Sequence, residues 1–480
     1  MRGLSLWIHL LALSASGSTV WAADVVDIGT HRELFVDHYL IDKLEQVHLK
    51  LHEPQPAEIA LTFDRPWEGG TSSYYTVLKD GPVYRMYYRG SSGQPGSDQV
   101  TCYAESSDGI RWTRPNLRLF AVHGTCENNV ILTPKSAGAG THNFCPFVDG
   151  RSGVPSSEKY KAVGGDREGL VPYVSSDGIR WRRLRERPVI TRGAFDSQNV
   201  AFWSESEEAY VCYFRVFRDG VRSVSRSTST DFVNWSDPTP MDFGDTPREH
   251  IYTNGTHPYF RASHIYVSLS RRFMPGRRVL SDEVVAKLDI EAAGNYPGLK
   301  LDCSDTVFMT SRGGNRYDRT FLEGFVRPGA DQRNWVSRSN TPALGVVPTG
   351  PSQMSLYVGQ HRGQPTHHLR RFTLRTDGFS SVHAPYRGGE LVTKPLTFAG
   401  SKLVLNYSTS AAGSLRVEIQ NEAGQVMPRY AMGEFDEIAG DEIERAVSWN
   451  GRDDLSALVG TVVRLRFVMK DSDVYSIRFR

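Results

Sequence analysis

The chain has 480 residues, and its 56 Lys and Arg residues against 54 Asp and Glu residues give a formal net charge of +2. This balance excludes a strongly basic nucleic-acid groove or membrane-binding face, so we expect neither nucleic acid nor membrane as a partner. The length is sufficient for two or three domains with substantial cores.

The N-terminal segment has the order of parts of a secretory signal peptide. Arg2 precedes the short apolar run LSLWIHLLAL, and the small residues Ala22 and Ala23 follow. That run is too short to span a bilayer comfortably, and no later stretch has the character of a membrane helix. We therefore predict that residues 1–23 are a signal peptide and that the mature protein is a soluble monomer, secreted or periplasmic.

A seven-residue sequence, SSDGIRW, occurs at Ser106–Trp112 and again at Ser175–Trp181. Each copy follows a strand–turn–strand pattern, such as YYTVLKDGPVYRMYYRG before the first. Three similar units follow along the chain: VAFWSESEEAYVCYFR with a turn at Thr230–Asp231, HPYFRASHIYVSLSRR, and SLYVGQHR with a turn at Asp377–Gly378. Five units of four short strands predict a five-bladed β-propeller.

The repeated heptad has a structural interpretation. Its Asp carboxylate accepts hydrogen bonds from backbone N–H groups two residues further on, and its Gly adopts a positive φ. The Trp is expected to pack on the neighbouring blade. The motif therefore predicts a locked turn between the third and fourth strands of a blade, and it carries no chemistry.

The remaining elements complete an all-β prediction. SDEVVAKLDIEAAG, starting at Ser281, predicts one helix inserted in the fourth blade. From residue 386 the chain alternates apolar and polar residues between Gly, Asn and Asp turns, which is typical of a β-sandwich. We therefore assign 24–385 to the propeller and 386–480 to an accessory β-sandwich. ELFVDHYLID near the N-terminus is interpreted as a closing or docking strand.

The five cysteines form an odd and widely scattered set: Cys102, Cys126, Cys145, Cys212 and Cys303. Without CxxC or Cys/His spacing, they are interpreted as small buried hydrophobic residues rather than a disulfide framework or a zinc site. The pair Cys102 and Cys126 is the one alternative considered, since it could oxidise outside the cell.

The innermost strands of a propeller converge on a central channel, so residues just before each of them are expected to face a shared funnel. Carboxylates that meet there provide the acid and the base or nucleophile for glycosidic hydrolysis. The candidate catalytic residues are Asp196, Glu249, Glu323 and Glu68. Aromatic and polar neighbours would bind hydroxyl groups and sugar faces, and these candidates are Trp67, His142, Asn143, Gln198, Tyr252, Asn254, His257 and Arg312.

Among the carboxylates, Glu249 and Asp196 are preferred as the acid and base pair. Glu249 has Tyr252, Asn254 and His257 nearby in sequence as hydrogen-bond partners. Asp196 occupies a position where backbone N–H groups would keep it ionised. Glu323 lies between apolar residues, which predicts burial; it is then either catalytic or paired with Arg319 or Arg327.

Other side chains receive structural interpretations. The arginines that close the second strands are interpreted as strand-end or inter-blade ion pairs, and they are Arg89, Arg167, Arg215, Arg271 and Arg362. The histidines lack metal-ligand spacing, and no ligand spacing supports a calcium ion on the channel axis, so no cofactor is expected. There is no GxSxG motif, no P-loop and no convincing dinucleotide loop.

The chain resembles the five-bladed-propeller glycoside hydrolases of the invertase/levanase and arabinanase/β-xylosidase type. Stretches such as ELFVDHYLID, WEGGTSSYYTV, EHIYTNGTHPYF and YDRTFLEGFVRPG are similar to a group of uncharacterised secreted bacterial relatives. The resemblance implies an Asp at the start of the first blade, an Asp in the second and a Glu in the third. This chain offers Glu68, His142–Asn143 and Asp196 at those places.

The leading hypothesis is a secreted glycoside hydrolase that acts on an extracellular poly- or oligosaccharide by carboxylate acid/base catalysis. One alternative is a carbohydrate-binding propeller without catalysis. The other is a sialidase-like enzyme with a tyrosine nucleophile and three arginines, for which Tyr252, Arg215 and Arg312 are the residues available.

Overall fold

The computed structural model describes residues 25–93, 99–290 and 297–480. The predicted signal peptide, residues 1–23, lies outside the described residues. Strands dominate the secondary structure, and the two α-helices are short: α1 (Pro134–Ala137) and α2 (Asp282–Lys287). Ser281 caps α2 as predicted, because its hydroxyl accepts the N–H of Val284 at 3.3 Å. The all-β fold class is confirmed.

Five strands precede the first complete blade. They are β1 (Val26–Gly29), β2 (Arg32–Leu34), β3 (Ile41–Glu45), β4 (His48–Leu51) and β5 (Gln55–Thr62). None of them pairs with the strand that follows it in sequence. Their partners lie far along the chain, so this segment connects distant parts of the molecule.

The first three blades are four-stranded antiparallel sheets in simple up-and-down order. Each begins at the channel and runs outward, as the five-unit pattern predicts. Blade one contains β6 (Ser73–Asp80), β7 (Val83–Gly90), β8 (Val100–Ser106) and β9 (Val130–Leu132); blade two contains β10 (Cys145–Val148), β11 (Tyr160–Asp166), β12 (Gly169–Ser175) and β13 (Arg182–Arg183); blade three contains β14 (Val200–Ser204), β15 (Ala209–Arg218), β16 (Val221–Ser229) and β17 (Thr239–Pro240).

Blades four and five have interrupted inner strands. In blade four, β18 (His250–Thr253) and β19 (Thr256–Tyr259) both pair with the long β20 (Ala262–Met274), which also pairs with β21 (Cys303–Ser311). In blade five, β22 (Thr341–Pro342) and β23 (Val347–Pro348) both pair with β24 (Gln353–Gln360), and β25 (His368–Arg375) follows.

The ring closes at blade five. The N-terminal strand β5 pairs antiparallel with β25 and forms the outer edge of that blade. On the inner side, the N–H of Val77 in blade one donates to the carbonyl of Leu344 at 2.8 Å, and the N–H of Leu344 donates to the carbonyl of Tyr75 at 2.9 Å. The first and last blades are therefore joined by backbone hydrogen bonds on the inner side, and on the outer side by the chain that leads from β5 into blade one.

The C-terminal unit is a ten-stranded sheet that includes the N-terminal strands. Its later strands are β26 (Ser380–Ala384), β27 (Gly389–Thr393), β28 (Leu396–Phe398), β29 (Leu403–Asn421), β30 (Asp441–Ala446) and β31 (Val463–Phe479). Strands β1, β2, β3 and β4 pair with β28, β31, β27 and β26, respectively. The sheet thus takes residues 26–51 and 380–384 from the range assigned to the propeller, which shifts the predicted boundary at 385/386.

All five cysteines are free, and only Cys126 is exposed. Cys102 is completely buried inside blade one, so the considered pairing of Cys102 with Cys126 is not formed. Burial raises the pKa of the Cys102 thiol well above its usual value, which makes it unreactive. The interpretation of the cysteines as buried hydrophobic residues is confirmed for all except the exposed Cys126.

The heptad turns have the predicted structure. In blade two, the Asp177 carboxylate accepts the N–H groups of Ile179 at 2.8 Å and Arg180 at 2.7 Å, and Gly178 has a φ of +75°. The hydroxyl of Tyr87, from blade one, donates to the carbonyl of Gly178 at 3.0 Å. The copy in blade one repeats the carboxylate geometry with distances of 2.8 Å. These turns therefore fix their own loop and its contact with the preceding blade.

Substituting Asp177 with Ala is expected to destabilise the fold by about 1–2 kcal/mol, because two backbone N–H groups lose a charged acceptor. Urea denaturation measures the change. Glycan binding per folded molecule should be unchanged, since the turn lies at the end of blade two away from the funnel. A selective loss of binding with an unchanged denaturation midpoint would contradict the structural interpretation.

The same turn chemistry predicts a pH dependence. Partial burial raises the pKa of Asp231, but the backbone N–H groups of Asn234 and Val233 donate to its carboxylate and lower the pKa to about 2. Because the folded-state pKa is depressed, this stabilisation is fully present above the usual Asp range near 3.9 and is lost as the pH falls toward 2. Thermal melts between pH 5 and 2 should therefore fall more steeply for the wild type than for Asp231→Asn; parallel curves would refute this.

Candidate active site

Four arginines on the second strands converge at one end of the propeller axis. Arg89, Arg215 and Arg271 lie toward the ends of β7, β15 and β20, and Arg362 follows β24. Their residues are only 2–7% exposed. None forms an ion pair with a carboxylate in the part of the chain that the structure describes, so their interpretation as inter-blade ion pairs is wrong. With Arg338 they bound a space that we call the arginine funnel.

Tyr252 lies at the centre of this cluster. The guanidinium carbons of Arg271, Arg222, Arg215 and Arg338 are 4.1, 5.0, 5.2 and 5.6 Å from its ring centroid. Burial raises the pKa of the Tyr252 phenol, but the charges of these arginines outweigh burial and bring the pKa below its usual value. A phenol whose pKa is lowered in a cationic site is a candidate nucleophile.

Tyr74 forms the opposite wall with an unusual backbone. Its φ is +57°, at a break in the pairing of β6 with β7. The left-handed region is unfavourable for a bulky side chain, and such strain of about 1–3 kcal/mol is typical of functional sites. The Tyr74 ring lies 4.8 Å from the guanidinium of Arg89 and 5.3 Å from the ring of His142. Burial raises its pKa, so Tyr74 remains a neutral phenol.

Asp196 and His142 form a hydrogen-bonded carboxylate–imidazole pair at the site. His142 Nε2 donates to Asp196 Oδ1 at 2.8 Å, and Arg89 Nη1 lies 3.1 Å from His142 Nδ1. This hydrogen bond from His142, with the nearby positive charge, holds the pKa of Asp196 far below its usual range. The Asp196 side chain is 64% exposed, so it faces solvent at the mouth of the funnel. Asp196 was expected to be kept ionised by backbone N–H groups, but the group that donates to its carboxylate is His142.

The other predicted carboxylates lie elsewhere. Glu249 Oε1 accepts from Arg272 at 2.8 Å, and Glu249 Oε2 is 2.7 Å from Arg319. Two arginines thus neutralise Glu249 as a structural ion pair, outside the Tyr252 cluster. Glu323 is exposed and forms no ion pair among the described residues, which contradicts its predicted burial. The expected convergence of these carboxylates with Asp196 is therefore wrong.

Trp67 and Glu68 are buried in blade one. Trp67 Nε1 donates to Asn129 Oδ1 at 3.0 Å. Glu68 accepts the Tyr88 hydroxyl at 2.6 Å and pairs with Arg114 at 3.2 Å. Burial raises the pKa of Glu68, but its carboxyl group is enclosed by these partners. Both residues stabilise the start of blade one, and neither contacts the funnel residues.

Two predicted substrate-binding amides instead connect blades. Gln198 Nε2 donates to the carbonyl of Tyr75 at 2.9 Å, which links blade three to blade one across the axis. Asn143 Nδ2 donates to the carbonyl of Phe195 at 2.6 Å, and its Oδ1 accepts the N–H of Gly165 at 2.9 Å. Both side chains are almost fully buried. They close the channel below the funnel.

His257 and Asn254 lie below the funnel, on the inner wall of blade four. His257 Nδ1 donates to the carbonyl of Gly255 at 2.8 Å, and Nε2 accepts the N–H of Val346 at 3.1 Å. Burial lowers the pKa of His257 to about 4, so it is neutral. His257 borders a separate recess of about 480 Å³ at the other end of the axis. Asn254 is buried at the break between β18 and β19.

Arg312 does not join the cluster that the sialidase-like alternative requires. It pairs with Glu33 at 2.7 Å and Asp37 at 3.1 Å, and it thereby holds the N-terminal segment against blade four. Arg271 and Arg338 take the places around Tyr252 instead. In the sequence, the sign of this cluster is an arginine near the end of each successive second strand. That repeat alone does not distinguish an arginine cluster from a set of ion pairs.

Within the described residues, no group of three or more His, Cys, Asp or Glu side chains is arranged to hold a metal ion. Nor does any helix in these ranges have the length and apolar character needed to cross a membrane.

No protein-family model matches the chain, and no curated protein gives a significant sequence match. Similar solved structures include a glycoside hydrolase (12% identity, TM-score 0.43, covering 67% of this chain and 92% of that one). Another is an N-acetylgalactosamine deacetylase from F. plautii (12% identity, TM-score 0.42, covering 69% of this chain and 96% of that one). A third is an exo-β-1,3-galactanase from Phanerochaete chrysosporium (11% identity, TM-score 0.39, covering 89% of this chain and 100% of that one). The propeller architecture rests on the strand pairing itself.

Proposed function

We propose that this protein is an exported glycoside hydrolase that cleaves a poly- or oligosaccharide in the arginine funnel. The observation that carries the proposal is a phenol of lowered pKa, Tyr252, in the same cluster as the carboxylate–imidazole pair Asp196 and His142. A nucleophile and a proton-transfer group are what a two-step glycosidic hydrolysis requires. The sequence resemblance to five-bladed glycoside hydrolases supports carbohydrate as the substrate class.

The proposed reaction has two balanced steps. The Tyr252 phenolate oxygen bonds to the anomeric carbon as the glycosidic C–O bond breaks, and the leaving oxygen takes a proton from His142. Water then bonds to the anomeric carbon, gives its proton to His142, and the bond to Tyr252 breaks. Asp196 stabilises the charged imidazole that donates in the first step and is regenerated in the second. Water is added across the glycosidic bond with retention of configuration.

The surrounding arginines support this choice of nucleophile. Arg271 and Arg338 lie over the Tyr252 ring, and their charges lower the pKa of its phenol. Glu249 is no longer assigned as the acid, since Arg272 and Arg319 occupy both of its carboxylate oxygens. The proposal therefore corresponds to the tyrosine-nucleophile alternative, with Asp196 retained from the carboxylate hypothesis.

One observation favours a carbohydrate-binding propeller without catalysis as the second candidate. Of the four carboxylates predicted to be catalytic, only Asp196 belongs to the funnel cluster. Binding requires no nucleophile, and the arginines and tyrosines could serve recognition alone. The two candidates differ in one measurable property, which is the appearance of product.

The test is a screen of the mature protein, residues 24–480, against plant, algal and microbial glycans with chromatographic analysis of products. The proposal predicts new reducing ends from at least one glycan, with retained anomeric configuration by NMR. Binding without product from every glycan that binds would support the second candidate. Export is tested separately: N-terminal sequencing of protein recovered outside the cytoplasm should begin at residue 24.

A further inference from the structure

The arginine funnel holds far more positive than negative charge. Five guanidinium groups lie around Tyr252 and Tyr74, and a sixth, that of Arg362, acts on three of them. Asp196 is the carboxylate among the charged groups that act on both tyrosines. Asp196 is already hydrogen-bonded to His142. The six groups are Arg89, Arg215, Arg222, Arg271, Arg338 and Arg362.

This arrangement is unfavourable without a bound anion. Burial and the neighbouring arginines lower the pKa of Arg271 to about 10, and they lower that of Arg362 to about 9. Arginine ordinarily remains protonated under all protein conditions. Negative charge stabilises guanidinium groups that are buried beside one another, and Asp196 is the carboxylate that the described side chains contribute near both tyrosines.

Arg215 shows where such an anion would bind. Its residue is 93% buried, and its guanidinium donates no hydrogen bond and forms no ion pair within the described ranges. Its contacts are the rings of Tyr252 and Phe217, at 5.2 and 5.6 Å. Its Nε is buried without a partner, and none of its N–H groups has a protein acceptor among the described residues, so the guanidinium is free to donate to a ligand.

We propose that the funnel recognises an oxyanion substituent, a carboxylate or a sulfate ester, on an acidic saccharide, with Arg215, Arg271 and Arg338 as its binding residues. The inference rests on the proposed function for the carbohydrate part of the ligand. The planar fork of arginine binds both kinds of oxyanion through paired charge-assisted hydrogen bonds.

The experiment is equilibrium binding of three trisaccharides by calorimetry: a galacturonic acid trimer, a sulfated galactose trimer and the unmodified galactose trimer. Binding of an acidic trimer should be at least about tenfold tighter than that of the neutral one, since a charge-assisted hydrogen bond contributes that much. The tighter of the two acidic trimers identifies the source of the oxyanion. Equal affinities for all three, or no binding of either acidic trimer, would overturn the proposal.

Arg215→Gln should remove the tenfold preference, and Arg180→Gln is the matched control. Arg180 is exposed in the blade-two heptad turn, at the opposite end of the axis, where its ion pair with Asp177 contributes little. Because Arg215→Gln relieves repulsion, its ligand-free melting temperature should be equal to or above that of the wild type. A retained preference in Arg215→Gln, or its loss in Arg180→Gln, would contradict the assignment.

These outcomes separate the two proposals. Acidic trimers that bind with the predicted preference but are not cleaved would leave the inference standing and refute hydrolysis. Cleavage of neutral glycans without any acidic preference would support hydrolysis and refute the inference.

Discussion

Replacing Tyr252 with Phe is expected to lower glycan turnover by at least about a thousandfold, because the variant lacks the oxygen that attacks the anomeric carbon. Phe retains the ring, and therefore the contacts with Arg271 and the other guanidinium groups. Folding and glycan affinity should be nearly unchanged. Single-turnover kinetics at saturating glycan measure the effect. Turnover close to that of the wild type would remove Tyr252 from the mechanism.

Two further variants give this experiment its controls. Asp196→Asn should lower the rate at least about a hundredfold, because His142 loses the charge that stabilises its protonated form. Glu249→Gln should retain the wild-type rate per folded molecule, since Glu249 pairs with Arg272 and Arg319 away from Tyr252. A large loss of rate in Glu249→Gln alone would restore the original assignment of that residue as the acid.

The second large effect concerns stability. Asp377→Ala is expected to destabilise the protein by about 3–5 kcal/mol, the range for removing one partner of a buried charge network. Its fully buried carboxylate accepts from Tyr259 at 2.7 Å, Arg261 at 2.9 Å, Asn406 at 2.9 Å and Ser476 at 2.7 Å. These partners belong to blade four and to the C-terminal sheet, so one side chain holds the two units together.

Guanidinium denaturation monitored by tryptophan fluorescence checks this expectation. The midpoint should fall strongly for Asp377→Ala and should change little for Asp441→Ala, whose ion pair with Arg375 at the same interface is exposed. A loss of this size is a large fraction of the 5–15 kcal/mol typical of folded domains. An unchanged midpoint for Asp377→Ala would mean that the two units do not depend on this network.

Local patterns were sufficient to predict the blades. Strand alternation and the heptad turns depend on residues within about ten positions of one another, so Asp177 and Gly178 are interpretable from sequence alone. Asp377–Gly378 was grouped with these turns by the same pattern. In the structure the Asp377 carboxylate instead bonds to partners up to 118 residues away, which no local pattern records.

The funnel was predicted in location but not in composition. Positions before the inner strands were expected to face the axis, and His142 and Asp196 do so. For Trp67 and Glu68, contacts with Asn129 and Arg114 within blade one determine the orientation, and those contacts are not visible in the spacing. The arginines were seen but assigned to ion pairs, because their repeated position does not reveal that they lack carboxylate partners.

The pairing of the N-terminal strands determines the order in which the protein can be completed. Strand β5 has its partner β25 more than 300 residues later, and β1 to β4 pair with strands between β26 and β31. The last blade therefore cannot form before β25 is made, and the second sheet cannot form until synthesis is nearly finished. Contacts so distant in sequence slow folding, because chain closure must precede the interactions that stabilise it. A nascent chain whose first strands are still unpaired can also still be threaded through a membrane.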